Sequence, residues 1–429
     1  MKKKYRIILY TSIFLLCVVA SIILVVKKSN SVYEEESKPK VVKHKSMLSM
    51  NLEQTAGAGD YKTVTQSKWP TEGYKFNAEL SRCENGSTLS WDDTKKAVIV
   101  SGNLSDKCYV YFDIYQPTLA EYIKSQYTGT QGENSIYYHN SSLENGAGDN
   151  SYRYAGANPN NFVCFGSDAS PCPIDNLYRI IGVFGENYHG ANGKQLVKLI
   201  KYDYMTTDEL GTDGDYSQTY KEWGMDSTYK GTYGDGERIG VYYWNYKATG
   251  SATNTWSTSL LNKTNLNTNF INNIGTTWAN KIATVTWKVG GNTWANIGTK
   301  TSSVAYTNEI TNPVTTNTTD NATTYSAKIG LMYVSDYGFA ASPDAWTLTM
   351  SSYNNTTATN NNWMYMGLYE WTISRYADYS DSAFGVGSVG RVSNFDVGSS
   401  DGVRASFNLE SSVSYVSGSG SMSDPIVIN

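Results

Sequence analysis

The acidic residues Asp208, Glu209, Asp213 and Asp215 cluster within eight positions of the chain. Oxygen-rich flexible loops suit calcium, but this spacing does not follow the twelve-residue helix–loop–helix pattern. A solvated acidic loop is the plain reading, with Asp208, Asp213 and Asp215 as weak calcium candidates. The three histidines are His44, His139 and His189. A hydrolytic triad needs a base held against a nucleophile and oriented by a third group. No serine is read here as the nucleophile of such a triad. His139 and His189 lie in Gly/Asn-rich stretches and read as surface residues. Gly385-Val-Gly387-Ser-Val-Gly390 matches G-x-G-x-x-G in form. That motif cradles phosphates only between a strand and a helix, and this Ser/Gly-rich setting reads as a turn. These residues leave no catalytic position to name, and no cofactor is expected.

Five cysteines are present. Cys17 sits in an apolar run, which leaves Cys83, Cys108, Cys164 and Cys172. An even number outside a membrane suggests disulfides. Four cysteines allow three pairings, and proximity in sequence favours Cys83–Cys108 and Cys164–Cys172. A four-thiolate zinc site is the rival reading. It normally uses C-x-x-C pairs, and the chain has none. Free thiols in a reducing compartment are the third.

Compartment is written at the start of the chain. Lys2, Lys3, Lys4 and Arg6 precede an uncharged run from Ile7 to Val26, and Lys27-Lys28 close it. About twenty helical residues span a hydrocarbon core of ~30 Å. The basic flank predicts a cytoplasmic N-terminus and an exported remainder. Residues 1–6 are thus expected to be a cytoplasmic tail and 7–26 a single transmembrane helix acting as a signal-anchor. A cleaved secretory signal is the alternative. Its apolar region usually runs about 7–15 residues and ends at a small-x-small site, which is missing before Lys27. Beyond the run and its flanks lie 29 basic and 39 acidic residues, a net charge of −10. An acidic exterior argues against nucleic acid as a partner. The predicted partners are the membrane, through the N-terminal helix, and a glycan or a host or envelope protein.

The elements between these features are short and β-rich. Residues 27–60 read as a flexible linker. Residues 61–116 read as a small disulfide-closed β module, with Leu89–Asp92, Ala97–Val100 and Tyr109–Asp113 as strands between Asn/Gly turns. Residues 117–150 form a connector with a short helix, on which Leu119, Tyr122 and Ile123 share a face. Residues 151–429 are an α+β domain. Asn176–Phe184 and Gln195–Tyr202 alternate around a Gly-rich turn and predict a hairpin. Leu266, Phe270 and Ile274 mark one face of a helix. Lys328–Ser335, Trp363–Ile373, Val403–Leu409 and Pro425–Ile428 read as strands. The tryptophans between Trp278 and Trp294 read as core. The fold class is α+β and β-rich, with one N-terminal membrane helix.

Several stretches resemble uncharacterised membrane-anchored surface proteins of low-GC gut bacteria that end in a domain of unknown function. They include Cys83-Glu-Asn-Gly-Ser87, Lys107-Cys-Tyr-Val-Tyr-Phe112, Tyr178-Arg-Ile-Ile-Gly182 and Lys328-Ile-Gly-Leu-Met-Tyr-Val-Ser-Asp-Tyr-Gly-Phe-Ala340. The resemblance covers most of the exported part. More distantly, Glu370-Trp371-Thr372 and Gly402-Val403-Arg404 are similar to the formylglycine-generating-enzyme branch of the C-type-lectin-like fold. That likeness implies a lectin-like C-terminal domain. The enzyme's late cysteine pair is absent, since no cysteine follows Cys172. Glu370 and Arg404 are therefore expected to be a structural or rim pair.

With 35 Tyr and 11 Trp the chain has material for both a core and a contact surface. The expected function is non-catalytic recognition of a glycan, peptide or host surface by a membrane-tethered extracellular protein. The alternatives are a structural cell-envelope component and an extracellular hydrolase with a spatially assembled carboxylate pair. Such a pair would stand about 5–10 Å apart.

Overall fold

The computed structural model describes residues 48–65, 68–70, 73–103, 105–185, 189–212, 221–224, 229–232, 238–247, 252–313 and 322–429. The basic tail, the apolar run 7–26, Asp213 and Asp215 lie outside the described residues. Among the described residues no helix is long and apolar enough to cross a membrane. The chain divides into two compact units, Met1–Tyr115 and Gln116–Asn429. Their architecture is β-rich α+β, with several sheets.

The N-terminal unit is a four-stranded sheet in the order β2-β1-β6-β3 with a β4–β5 hairpin beside it. The strands are β1 Leu48–Glu53, β2 Tyr61–Val64, β3 Tyr74–Cys83, β4 Thr88–Asp92, β5 Ala97–Ser101 and β6 Cys108–Ile114. β1 was expected to be linker. It is a central strand, antiparallel to β2 and parallel to β6. Leu48, Met50 and Leu52 alternate with Ser49, Asn51 and Glu53, and this six-residue pattern is too brief to stand out beside the charged stretch before it. Tertiary pairing selects it. Met50 and Leu52 lie opposite Val110 and Phe112, and the four are buried together with Val98. Phe112 is the hub, with its ring 5.7–5.9 Å from those of Trp69, Phe76 and Trp91. Such a unit has a thin core. The Cys83–Cys108 disulfide ties β3 to β6 where the two cysteines face each other in register.

In the C-terminal unit β7 Ile136–Tyr138, β8 Tyr152–Tyr154, β9 Phe162–Cys164, β10 Leu177–Phe184 and β11 Leu196–Lys201 form most of one sheet. It is completed by Ile329–Gly330 and Ser406–Asn408. The predicted hairpin is β10–β11, antiparallel with a bulge between Ile180 and Gly182. Its apolar alternation suggested one wet face, yet every residue of both strands is buried. Gly182 permits this, because a Cβ there would stand 2.3 Å from the Tyr152 carbonyl oxygen of β8. The second disulfide, Cys164–Cys172, closes the short loop after β9. The helix Leu119–Ser125 begins in a capping box of Thr118 and Glu121 and buries Leu119 and Ile123 as expected.

The second large sheet runs Lys221–Gly224, Arg238–Tyr243, Ser400–Gly402, Glu370–Tyr376, Ser382–Val386 and Val392–Asp396. Gly385–Gly390 falls in the hairpin between its last two strands, so the G-x-G-x-x-G match is a strand end and turn. The segment Lys328–Ser335 is only briefly a strand, since a helix, Val334–Phe339, follows it. Asp336 accepts from the Tyr333 N–H at 3.0 Å and starts this helix. Likewise Trp363–Leu368 is irregular, and its strand begins at Glu370. The run Leu261–Phe270 is a wide-turned helix that buries Leu266 and Phe270.

A chain that begins at Tyr61 lacks β1. It is expected to lose near-ultraviolet circular dichroism and a cooperative melt for the N-terminal unit, while a chain beginning at Ser46 keeps both. Equal melts for the two chains would contradict a central role for β1.

Candidate recognition surface and buried ionic core

Alternation along Tyr109-Val-Tyr-Phe-Asp113 separates the two faces of the small sheet. Val110 and Phe112 enter the core, while Tyr109, Tyr111 and Asp113 point to the other face. The pairing adds Tyr61 and Thr63 from β2, Asn51 from β1, and Lys75, Asn77 and Arg82 from β3. Tyr61, Tyr109 and Tyr111 are half-buried and Arg82 is exposed. The Tyr61 ring meets Tyr111 edge-on at 5.0 Å. The Arg82 guanidinium lies 5.7 Å from the Tyr109 ring and 5.6 Å from the Tyr111 ring. Tyr61 donates to Asp113 at 2.5 Å, which with burial pushes its phenol up to about 12. Asn77 donates to the same carboxylate at 2.8 Å. The Tyr109 hydroxyl donates to Glu84 at 2.9 Å, and Lys107 pairs with Glu84 at 3.3 Å. The result is a fixed row of phenol rings flanked by amide, carboxylate and guanidinium groups.

Most other large aromatics fill cores. Trp244, Trp287, Trp346 and Trp371 are fully buried, as the reading of Trp278–Trp294 as core anticipates for its own members Trp278 and Trp287. Tyr379, at 61% exposed, is an exception in the C-terminal unit.

The acidic cluster is partly visible. Asp208 is exposed in the first turn of the helix Thr207–Leu210. Glu209 caps that helix and pairs with Lys201 at 2.7 Å, so its carboxylate has a structural duty. Among the described residues no group of three His, Cys, Asp or Glu side chains could hold a metal ion.

The histidines correct the sequence reading, because His139 and His189 are both buried. The His139 Nδ1 accepts from the Ala147 N–H at 3.0 Å, and its ring lies against Phe339 and Trp346. His189 Nε2 meets Asp149 Oδ2 at 3.2 Å. Burial, with Arg153 nearby, holds both imidazoles below their ordinary range. Gly/Asn-rich surroundings describe the backbone turns and not where the rings go. Asp149 Oδ2 also accepts from Arg153 Nη2 at 2.7 Å and from the Tyr306 hydroxyl at 2.8 Å. Burial opposes ionisation of Asp149, but Arg153, His189 and Ser151 outweigh it and hold the carboxyl well below the usual range.

Glu370 and Arg404 form a fully buried bidentate pair at 2.8 and 2.9 Å. Arg404 also donates to the carbonyls of Met364 and Tyr202. With every guanidinium nitrogen engaged in the interior, this is a structural pair. Arg179 is buried between the rings of Phe162 and Trp363, at 4.4 and 4.6 Å, and donates to Asn161, Pro159 and Trp363. Sequence reading missed Asp149, Arg153, Lys198, Glu309 and Asp336. A usable signal existed for Lys198, since a lysine amid Leu196-Val-Lys-Leu-Ile200 on a strand buried on both faces needs a carboxylate partner.

No family model, no curated protein and no solved structure matches this chain.

Removing one partner of a buried pair strands the other charge, at a cost of about 3–5 kcal/mol. Arg404→Met should lower the unfolding free energy of the C-terminal unit by that amount in a urea titration. The double change Glu370→Gln with Arg404→Met should recover part of it. A single variant as stable as wild type would remove the pair from the core's support.

Asp401 is buried opposite Tyr242, and its Oδ2 has no partner among the described residues. Burial pushes this carboxyl from 3.8 up to about 7. The folded state then binds its proton more tightly than the unfolded state, so stability falls as pH rises through about 7. Asp401→Asn should match wild type below pH 3.8 and exceed it above pH 7. Parallel stability–pH curves for the two would contradict a protonated Asp401.

Proposed function

We propose that this protein is a non-catalytic recognition protein, tethered to a membrane by residues 7–26, with its two units outside the cell. Its ligand on this reading is a glycan, held on the tyrosine face of the N-terminal unit. The observation that carries the reading is the row Tyr61, Tyr111 and Tyr109 with Arg82 beside it. Phenol rings stack on the apolar faces of sugars, and neighbouring amide, carboxylate and guanidinium groups match sugar hydroxyls. The rings are already fixed by one another and by Asp113 and Glu84. Little side-chain freedom is then lost on binding.

The setting supports the same reading. Two disulfides suit an oxidising exterior. The acidic balance of the exported part disfavours nucleic acid. For the C-terminal unit we infer a lectin-like relationship, as the distant likeness to the formylglycine-generating-enzyme branch of the C-type-lectin-like fold implies. Its support is the Glu370-Trp371-Thr372 strand joined to Arg404 on the segment after Gly402.

A glycan array probed with the full chain in micelles tests this directly. Tyr109→Ala and Tyr111→Ala should each weaken the best hit by about tenfold or more, or ~1.4 kcal/mol. Tyr379→Ala, in the other unit, should leave it unchanged. Binding indifferent to Tyr109 and Tyr111 would move the site elsewhere. Absence of any sugar binding, with concentration-dependent self-association, would favour a structural envelope component.

A further inference from the structure

The middle of β11 carries a lysine into the core. Lys198 is buried, with its ammonium 4.3 Å from the Tyr333 ring centre and 5.2 Å from that of Trp287. Its Nζ lies 2.5 Å from Asp336 Oδ2, and both side chains are shut from solvent. That contact is shorter than the roughly 2.7–2.9 Å of ordinary ammonium–carboxylate pairs. Among the described residues the other Asp336 oxygen, Oδ1, has no hydrogen-bond partner, and neither has Arg153 Nη1, which faces it at 3.8 Å. A second carboxylate, Glu309, is buried beside the same chain segment. It accepts from the Val334 N–H at 3.0 Å and the Ser335 N–H at 2.9 Å. An amine, a carboxyl group and an unused guanidinium N–H are thus enclosed together among aromatic rings, with a further buried carboxylate that interacts electrostatically with both Lys198 and Asp336.

We propose that Lys198 and Asp336 become joined by an amide bond between Nζ and Cγ, with Arg153 stabilising the intermediate and Glu309 carrying the proton. The reaction starts from the ion pair. A proton crosses the short contact from Nζ to Oδ2, giving a neutral amine and a carboxylic acid. The Nζ lone pair attacks Cγ, and the C–Oδ1 π electrons move onto Oδ1, which faces Arg153 Nη1. A guanidinium aimed at this developing oxyanion lowers the barrier as an oxyanion hole does. Glu309 takes the surplus proton from Nζ and delivers it to Oδ2. The Oδ1 pair closes the carbonyl again, the Cγ–Oδ2 bond breaks, and one water leaves. Nothing is oxidised or reduced, and no co-reactant is needed.

Two physical terms drive it. Enclosure at contact distance supplies an effective molarity on the order of 10⁵–10⁸ M, which offsets the usual preference for hydrolysis in water. A buried ion pair is also poorly repaid for its lost hydration, and a neutral amide removes both charges. Burial pulls the Lys198 ammonium below its ordinary value, which favours the attacking amine. Burial lifts Glu309 to about 7, where it can both take and give a proton. For Asp336, burial works upward but Lys198, His189 and Arg153 outweigh it and hold the carboxyl below its ordinary range. The product would link β11 covalently to the helix Val334–Phe339, 138 residues along the chain.

Intact-mass spectrometry of the full chain decides this without any variant. The expected result is a mass one water below that of the sequence with both disulfides formed, and a branched peptide joining the Lys198 and Asp336 fragments after reduction and proteolysis. A chain at full mass, giving two separate linear peptides, overturns the proposal. Glu309→Gln should show the full mass while keeping wild-type near-ultraviolet circular dichroism. A folded Glu309→Gln chain that is still one water light would overturn the role of Glu309.

Discussion

The C-terminal unit is organised by one constraint: ionised side chains lie inside an aromatic core and must be paired there. A lone buried charge costs several kcal/mol, so each one dictates the position of a partner distant in sequence. Arg153 shows how far this reaches. Its Nη2 holds Asp149, its Nε donates to Ser151, and its guanidinium lies over the rings of Phe184, Tyr306 and Phe339. These residues come from four parts of the chain. The cluster therefore fixes the relative placement of the first sheet, the helical turn at Tyr306 and the helix that ends at Phe339. Lys198–Asp336 and Glu370–Arg404 do the same for β11 and for the second sheet.

Such pairing favours one arrangement over near alternatives, because apolar residues tolerate sliding and a buried ion pair does not. It also explains why so few of these groups are available for solution chemistry. The histidines are buried structural parts, and Glu370 and Arg404 satisfy each other. The N-terminal unit works differently. Its core is small and apolar, its stability leans on one disulfide, and Tyr61, Tyr109 and Tyr111 with their polar neighbours are on the face of the sheet away from that core. A binding role therefore falls more naturally on that face than on the larger unit's interior.

The legibility of the chain followed the range of the interactions. The β10–β11 hairpin, the helix after Thr118 and the turn at Gly387–Gly390 are governed by neighbours in sequence, and local patterns located all three. The two disulfides join cysteines 25 and 8 residues apart, which is near enough for proximity to be informative. β1 was read as linker because six alternating residues carry little signal until β2 and β6 pair with them. Lys328–Ser335 was read as one strand because its apolar residues lack polar breaks, yet Asp336 caps a helix within it. The row of tyrosines was half legible. Alternation put Tyr109 and Tyr111 on one face, but their meeting with Tyr61 and Arg82 depends on register.

By itself the sequence determined the β-rich α+β character and the cysteine pairs, because composition and short-range spacing control them. It also carried the apolar run 7–26 and the acidic balance, from which an exterior location is argued. Only the tertiary structure decided which polar residues are inside. His139 and His189 sit in stretches that look like surface turns, and Lys198 sits in a strand that could have had a wet face. Whether each is buried depends on a partner 36 to 138 residues away or on a ring packed edge-on from another element. Burial is a property of the closed fold, so long-range pairs such as Lys198 with Asp336 appear only once the sheets have packed.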